Sequence, residues 1–466
     1  MWELMTNDGL RNLGNFKIVG HDNRAGIELH DGIVYRKVIA DYVAETEEVL
    51  IKCASNSHAT KLLVSTEVYS KSQNNLVLKH ELLAPSYPFE WTPTMLIDAA
   101  LHTLDLSDSL QGDRLVVKDF LPSNLLYDGR QWKFIDFCSI IREESLLSES
   151  WLPHNETIEN SRRSIFRVMF IPFFFIPILL GVNGSTYQMT KLLRNNYCNS
   201  GKLAPGWRNL LFSRISKNYF LNLYSLQKAK KIIRKSNEAK INSEIRNLLV
   251  ELRSKSPKSA YSNYYEQKNE NFSVLDASEW SNKQKSINSI LDVKRPKTLV
   301  DIGANTGWYS MLGLKHGASV YALDNDCASL DIAYRNTMGN GLIPFHIDFE
   351  EIWEQANRVS TSFNERYCVD MVLALGIIHH LVLGKGISIE EVMQRLSSLA
   401  RESLVLEFID IDDEKIQNEL SFFGSLKTMS SKYSESILIE QGLRYFSSVK
   451  SLPSTPSTRR ILIFMR

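Results

Sequence analysis

Asp301, Gly303, Gly307 and Asp324 stand at a spacing that could seat a ligand carrying a ribose. Leu299-Val300-Asp301-Ile302 is a short apolar run holding a carboxylate, Gly303 and Gly307 bracket a tight turn, Ser310 to Lys315 suits a helix, and Ser319 to Leu323 reads as a second strand. Glycine is needed where backbone turns sharply beneath a ligand, because a Cβ would fill the space. Asp324 follows Asp301 by 23 residues and ends the second strand, where a carboxylate can accept from both ribose hydroxyls. A dinucleotide site needs G-x-G-x-x-G and a helix N-terminus free to hold a pyrophosphate. This chain has D-x-G-x-x-x-G instead. A carboxylate ahead of the glycines repels phosphate and suits a cationic ligand that bears an amino acid.

Further chemistry-bearing residues follow at the ends of further apolar runs. Leu342 to Ile347 reads as a third strand leading to Asp348, placed either to accept from an adenine amine or to cap a helix at Glu350 and Glu351. Val369 to Leu375 is continuously apolar apart from Asp370, as a buried parallel strand should be, and it runs into Gly376-Ile377-Ile378-His379-His380. Adjacent histidines point in different directions, so joint chelation of one metal is not expected. One of them could act as a general base or orient a substrate, given an ordinary pKa near working pH, or could merely fix the loop. Glu407 lies in a fifth strand, Ser403 to Ile409, where an acid is costly unless it faces a site. It is the better candidate for holding a substrate hydroxyl or amine.

To position these groups the chain must supply alternating helices, expected near Cys327 to Asn336, Glu350 to Asn357 and Ser388 to Ala400. Tyr445 to Val449 and Arg460 to Met465 are expected to close the sheet as antiparallel strands. The result is an α/β, Rossmann-like, mostly parallel sheet whose ligands bind at the carboxyl ends of the strands.

A second constellation lies in Leu115 to Phe137: Asp119, then Asn124, then Asp136 after an apolar strand. This spacing resembles the catalytic loop and metal-binding acid of protein-kinase-like phosphotransferases, where one acid orients a hydroxyl while asparagine and the second acid hold magnesium. Cys138 stands where glycine would follow Asp136-Phe137, and Gly14 to Gly32 contains no G-x-G-x-x-G. Lys37 is a guess for a nucleotide-anchoring lysine. The resemblance implies either a kinase-like α+β fold used to position a substrate, or an active phosphotransferase with Asn124 and Asp136 on metal.

The 466 residues allow two to three domains, and 44% hydrophobic with 23% charged residues is an ordinary globular composition. The net charge of +1 advertises no polyanionic partner for the molecule as a whole. Residues 202 to 258, however, hold fourteen Lys or Arg against three Glu. Ile241, Ile245, Leu248 and Leu252 give this region one helical apolar stripe. Its charge reads either as a face solvated or docked on an acidic part of the same chain, or as a surface for an anionic partner. Five cysteines without a C-x-x-C pair argue against zinc and disulfides and for a reducing, cytoplasmic setting. Val168 to Val182 is 15 residues without charge, short of the about 20 that span a bilayer. It contains Pro172 and Pro177, so a buried helix pair or a docking surface is expected, not a transmembrane segment. The expected division is a kinase-like domain over 1–149, a basic helical region over 150–268 and the α/β domain over 269–466.

The glycine turn with its following acid resembles the first motif of class I S-adenosylmethionine (SAM) methyltransferases. ERYCVDMVLALGIIHHLVLGKGIS and LVLEFIDIDD resemble the nodulation-associated branch of that class, as do the upstream pieces LVLKHELLAPSYPFEW, LVVKDFLPSNLLYDG and WKFIDFCSI. That resemblance implies SAM as cofactor, held by Asp301, Gly303, Ala304, Asn305, Thr306, Gly307, Asp324, Asp348 and Leu375, with Asp301 drawing in the ammonium. His379, His380 and Glu407 are the implied catalytic set, and no metal is called for. The acceptor it implies is undefined, with a sugar or glycan hydroxyl, as on a nucleotide sugar, preferred by association.

Overall fold

The computed structural model describes residues 24–30, 32–72, 74–152, 157–198, 219–235, 238–255, 259, 276–278, 280–356, 360–420 and 433–466. They divide into two compact units, one holding the described residues from 24 to 255 and the other those from 259 to 356 and 361 to 466.

The first unit begins with a four-stranded antiparallel sheet in the order β1 (Ala25–His30), β2 (Ile33–Val38), β4 (Asn75–His80), β3 (Thr66–Ser72). Helix α1 (Val43–Ser55) lies between β2 and β3 in the chain. Two short antiparallel pairs follow, β5 (Leu115–Val117) with β8 (Ile140–Arg142) and β6 (Leu125–Tyr127) with β7 (Trp132–Phe134). This is the expected α+β arrangement of a sheet followed by a strand-and-loop corner. Helix α2 (Pro93–Leu110) starts at a Thr92 side-chain cap with Pro93 in its first turn, and buries Met95, Leu96, Ala99, Ala100 and Leu104.

The apolar segment is one continuous helix, α3 (Ile158–Val182), and not a pair. Its middle, Phe166–Phe175, widens to π geometry around Pro172, with Ile176 N–H donating back to Ile171 O. Proline removes one helical donor, and the wider turn pairs the remaining groups. Length and composition would let α3 cross a membrane, yet 89% of its most apolar stretch is buried within the protein, with Phe170 and Phe174 in the core. Helices α4 (Tyr219–Lys235) and α5 (Glu238–Arg253) complete the unit. Ile241, Ile245, Leu248 and Leu252 form the buried stripe of α5, as their spacing requires. Its cations meet acids of α2: Arg253 grips Asp98 through Nε at 2.6 Å and an amino group at 3.1 Å, and Arg246 reaches Asp105 at 2.5 Å and Asp108 at 2.8 Å. Part of the basic charge is thus docked on acids of the same chain.

The second unit opens with α6 (Asn282–Lys294), whose start is fixed by a reciprocal cap between Ser281 and Gln284. Then come β9 (Thr298–Ile302), α7 (Trp308–Lys315), β10 (Ser319–Asp324), α8 (Cys327–Thr337), β11 (Leu342–His346), β12 (Val369–Ala374), α9 (Ile389–Leu399), β13 (Ala400–Ile409), β14 (Ser448–Pro453) and β15 (Arg459–Met465). The sheet order is β11-β10-β9-β12-β13-β15-β14, with β15 antiparallel to both neighbours and the other pairings parallel. This is the expected Rossmann-like methyltransferase sheet with its antiparallel closing strand. Of the helix expected over Glu350 to Asn357, the described residues form a single 3-10 turn, Glu350–Trp353, with Asn357 itself outside the described residues, and β14 begins at Ser448, later than expected. β9 and β12 are adjacent although two strands separate them in sequence, so the chain reverses its direction of winding there. Such a reversal opens a crevice at the strands' carboxyl ends.

Candidate functional site

Four of the expected residues line up along that carboxyl edge. Register pairs Ile302 with Leu323 and with Ala374, and Ala374 with Leu406. Gly303, Asp324, Leu375 and Glu407 therefore occupy one level on four neighbouring strands.

The turn after β9 is built for close approach. Gly303 and Gly307 have φ of +75° and +82°, and Asn305 also lies in the left-handed region at +52°. A Cβ on Gly303 would stand 2.3 Å from Ile377 Cγ2, so only glycine fits beneath the loop that follows β12. Asn305 N–H donates to Asp324 Oδ2 at 2.7 Å, and Asp326 N–H donates to Oδ1 at 2.8 Å. The carboxylate is thereby clamped by two loops, with its remaining lone pairs available to hydroxyls. Burial pushes the Asp324 carboxyl up to about 6, against those two backbone donors. Thr306 adds a buried hydroxyl with no hydrogen-bond partner, and Ala304 is buried beside it.

Asp301 departs from its expected part. It is 2% exposed and accepts from the Ser310 hydroxyl at 2.7 Å. Burial, with the Asp324 charge adding to it, raises its carboxyl to about 6. It faces inward under the first turn of α7, bracing the glycine turn from below. Asp348 is also engaged: Lys385 bridges it to Glu350, and Glu350 N–H approaches Oδ1 at 3.4 Å. Burial works against its charge, but the Glu350 and Lys385 hydrogen bonds prevail and hold it at about 2. The capping contact is therefore present but long, and the ion pair with Lys385 is an addition to what the sequence suggested.

Glu407 is 1% exposed. Its Oε2 accepts from Lys283 Nζ at 2.6 Å, while Oε1 is buried without a partner. Gly376 lies beside Oε2 at φ +72°, and it is this backbone conformation that calls for glycine, since a Cβ would meet Oε2 at an ordinary 3.4 Å. Lys283 sits in the first turn of α6, held there by the Ser281–Gln284 cap, and its ammonium also stands 5.1 Å from the Tyr309 ring centroid. A cation at a helix N-terminus opposes the helix dipole, so the Glu407 charge is what favours this placement. Lys283 escaped the sequence reading because nothing in its neighbourhood hints at a partner 124 residues away.

The two histidines part company. His380 is exposed, whereas His379 is 3% exposed with neither ring nitrogen hydrogen-bonded. Burial, and then the neighbouring His380, Lys415 and Arg459 charges, depress His379 to about 2. The expectation of a base with a pKa near working pH therefore fails for His379: it is a neutral ring able to donate one hydrogen bond and accept another.

In the first unit Asp119, Asn124 and Asp136 do converge. The Ser139 hydroxyl lies 2.9 Å from Asp119 Oδ2 and also bonds Asp136, and the Asn124 amide turns back to the Asp119 carbonyl at 3.2 Å. Burial, with the Asp136 charge, raises the Asp119 carboxyl despite Lys118 at 3.1 Å. Lys37 is exposed, which does not suit an anchoring lysine; the buried residues of β2 are Arg36 and Val38. Arg36 lies 2.5 Å from Asp136 Oδ1 and also donates to Ile135 O at 3.3 Å. The guanidinium thus stands against the acid that would hold magnesium. Glu45 of α1 accepts from Arg24 at 2.7 Å and from Arg142 N–H at 3.0 Å.

No protein-family model matches the chain. It is 26% identical over 377 residues to nodulation protein NoeA of Rhizobium meliloti (strain 1021), covering 74% of this chain and 73% of that protein. Similar solved structures include magnesium protoporphyrin IX methyltransferase (ChlM) from Synechocystis PCC 6803 with bound SAH, at 19% identity, covering 39% of this chain and 81% of that one, with a TM-score of 0.29. The bifunctional kinase-methyltransferase WbdD matches at 18% identity over 40% of this chain and 39% of its own, also with a TM-score of 0.29. The chain is thus similar to nodulation protein NoeA over most of its length, and its second unit carries the mostly parallel sheet and glycine turn expected from the sequence.

Proposed function

We propose that the second unit binds SAM and catalyses transfer of its methyl group to a hydroxyl, with a sugar or glycan the preferred acceptor class. The observation that carries this reading is the clamped Asp324 carboxylate beside a glycine turn that tolerates no Cβ, at the reversal point of the sheet. The residues present fit the cofactor: Asp324 would take the ribose hydroxyls, the backbone of Gly303 to Gly307 would pass the methionine portion, and Leu375 and Asp348 would border the nucleoside. Asp301 would contribute negative potential through the turn without touching the ligand.

When bound, SAM supplies an electrophilic methyl carbon on sulfur, so the protein must add in-line positioning and, for a hydroxyl acceptor, somewhere for the proton to go. In this reading Glu407 Oε1, buried and without a hydrogen-bond partner, would receive it. Lys283 occupies the other oxygen and so fixes which oxygen is left for the acceptor. His379, neutral and unpartnered, would orient the acceptor and not remove its proton. Free thiols at Cys53, Cys138, Cys327 and Cys368 suit a cytoplasmic setting.

The test is a screen of nucleotide sugars and cell-envelope glycans with isotopically labelled SAM. Label should enter an alkali-stable methyl ether and should fail to do so with Glu407→Gln. Label found only in carboxyl esters or amines would overturn the hydroxyl assignment. A phosphotransferase reading is disfavoured by Arg36, which already neutralises Asp136.

A further inference from the structure

The basic charge of the first unit is of two kinds. Arg246 and Arg253 of α5 are occupied by acids of α2. Helix α4 is different: it carries Lys228, Lys230, Lys231, Arg234 and Lys235 and no acid. Lys228 meets Glu251 of α5 at 3.1 Å, and further along Lys240 approaches Glu244 at 3.7 Å. Between these two ion pairs the helices leave a cleft of about 460 Å³. Lys231, Lys235 and Asn247 face it, all exposed, over a floor that includes Ile232 and the buried Leu248. Among the described residues Lys231 and Lys235 form no ion pair.

We propose that this cleft binds a phosphate-bearing small molecule, with Lys231 and Lys235 on the phosphoryl oxygens, Asn247 as a neutral donor and Ile232 with Leu248 beneath the rest of the ligand. Lysines four apart on a helix lie about 6 Å from one another, close enough to converge on one multiply charged oxyanion. The volume falls within the roughly 300–1,000 Å³ of small-molecule sites. Nucleic acid fits less well, since no aromatic ring lines the cleft to stack a base. A membrane surface fits less well too, because the apolar residues form the floor of a concavity and not a protruding face.

Titration calorimetry of the full chain with inorganic pyrophosphate tests this. The wild type should bind, and Lys231→Gln/Lys235→Gln should weaken binding by about tenfold or more. Lys230→Gln/Arg234→Gln removes the same charge from the same helix outside the cleft and should change affinity by less than about twofold. All four positions are exposed, and melting followed by circular dichroism should be unchanged. Absence of wild-type binding, or equal weakening in both double variants, would overturn the site. Binding to phosphatidylserine vesicles lost in Lys231→Gln/Lys235→Gln, without pyrophosphate binding, would overturn it in favour of a membrane surface.

Discussion

Lys283 and Glu407 form an ion pair of 2.6 Å that ties the helix preceding β9 to the fifth strand of the sheet, and it leaves one carboxylate oxygen buried and unshared. A buried acid with one satisfied and one open oxygen is costly for stability and useful for proton transfer. Glu407→Gln should keep SAM affinity within about twofold while turnover falls about 100-fold or more, the usual range for loss of a general base. Lys283→Ala leaves the acid without a counter-ion and should destabilise the unit by about 3 kcal/mol in denaturant unfolding. Equal loss of SAM binding in Glu407→Gln would move Glu407 into the cofactor pocket.

His379→Ala should lower turnover without moving the pH profile, because a ring depressed to about 2 does not titrate in the working range. A limb near 6.5 that vanishes in His379→Ala would contradict the neutral role. His380→Ala, at an exposed position, is expected to have the smaller effect on turnover.

SAM affinity should depend on pH through the carboxyls of Asp301 and Asp324, both raised to about 6 by burial. In the folded protein they hold protons between the unfolded value, about 3.9, and 6. Their contribution to stability is therefore full below the lower value and is lost as pH rises through 6. A cationic ligand and ribose hydroxyls both favour the ionised form. Binding should accordingly tighten from pH 5 to 7, with proton release measurable by calorimetry in buffers of different ionisation heat. Asp324→Asn should flatten the dependence as well as weaken binding; an unchanged slope would exclude Asp324 as its source.

Magnesium with ATP should raise the melting temperature little or not at all, since Arg36 already engages Asp136. A ligand at a hundred times its dissociation constant would add about 2.7 kcal/mol. Asp136→Ala should instead destabilise the first unit by removing an acid that the buried Arg36 engages. ATP-dependent phosphorylation that disappears in Asp136→Ala would restore the phosphotransferase reading.

Local pattern made the second unit readable: five parallel strands fall within a few residues of their expected ends, because buried runs bounded by turn residues are written locally. The glycine turn and Asp324 were legible for the same reason. What escaped depends on distance or parity. Lys283 and Lys385 find their acids across the fold, which no window of sequence reveals. Arg36 and Lys37 are neighbours on a strand and so face opposite ways, and only the pairing with β4 decides which points inward. The single helix through Pro172 was misread as a pair because proline normally ends a helix, and the π turn that absorbs it leaves no signature in composition.

The most direct measurement is calorimetric titration of the full chain with SAM, S-adenosylhomocysteine and NAD, repeated on Asp324→Ala. One equivalent of SAM and of S-adenosylhomocysteine should bind and NAD should not, and Asp324→Ala should weaken SAM by about tenfold or more, about 1.4 kcal/mol. Binding of NAD in preference to SAM, or an Asp324→Ala variant with undiminished SAM affinity, would contradict the account.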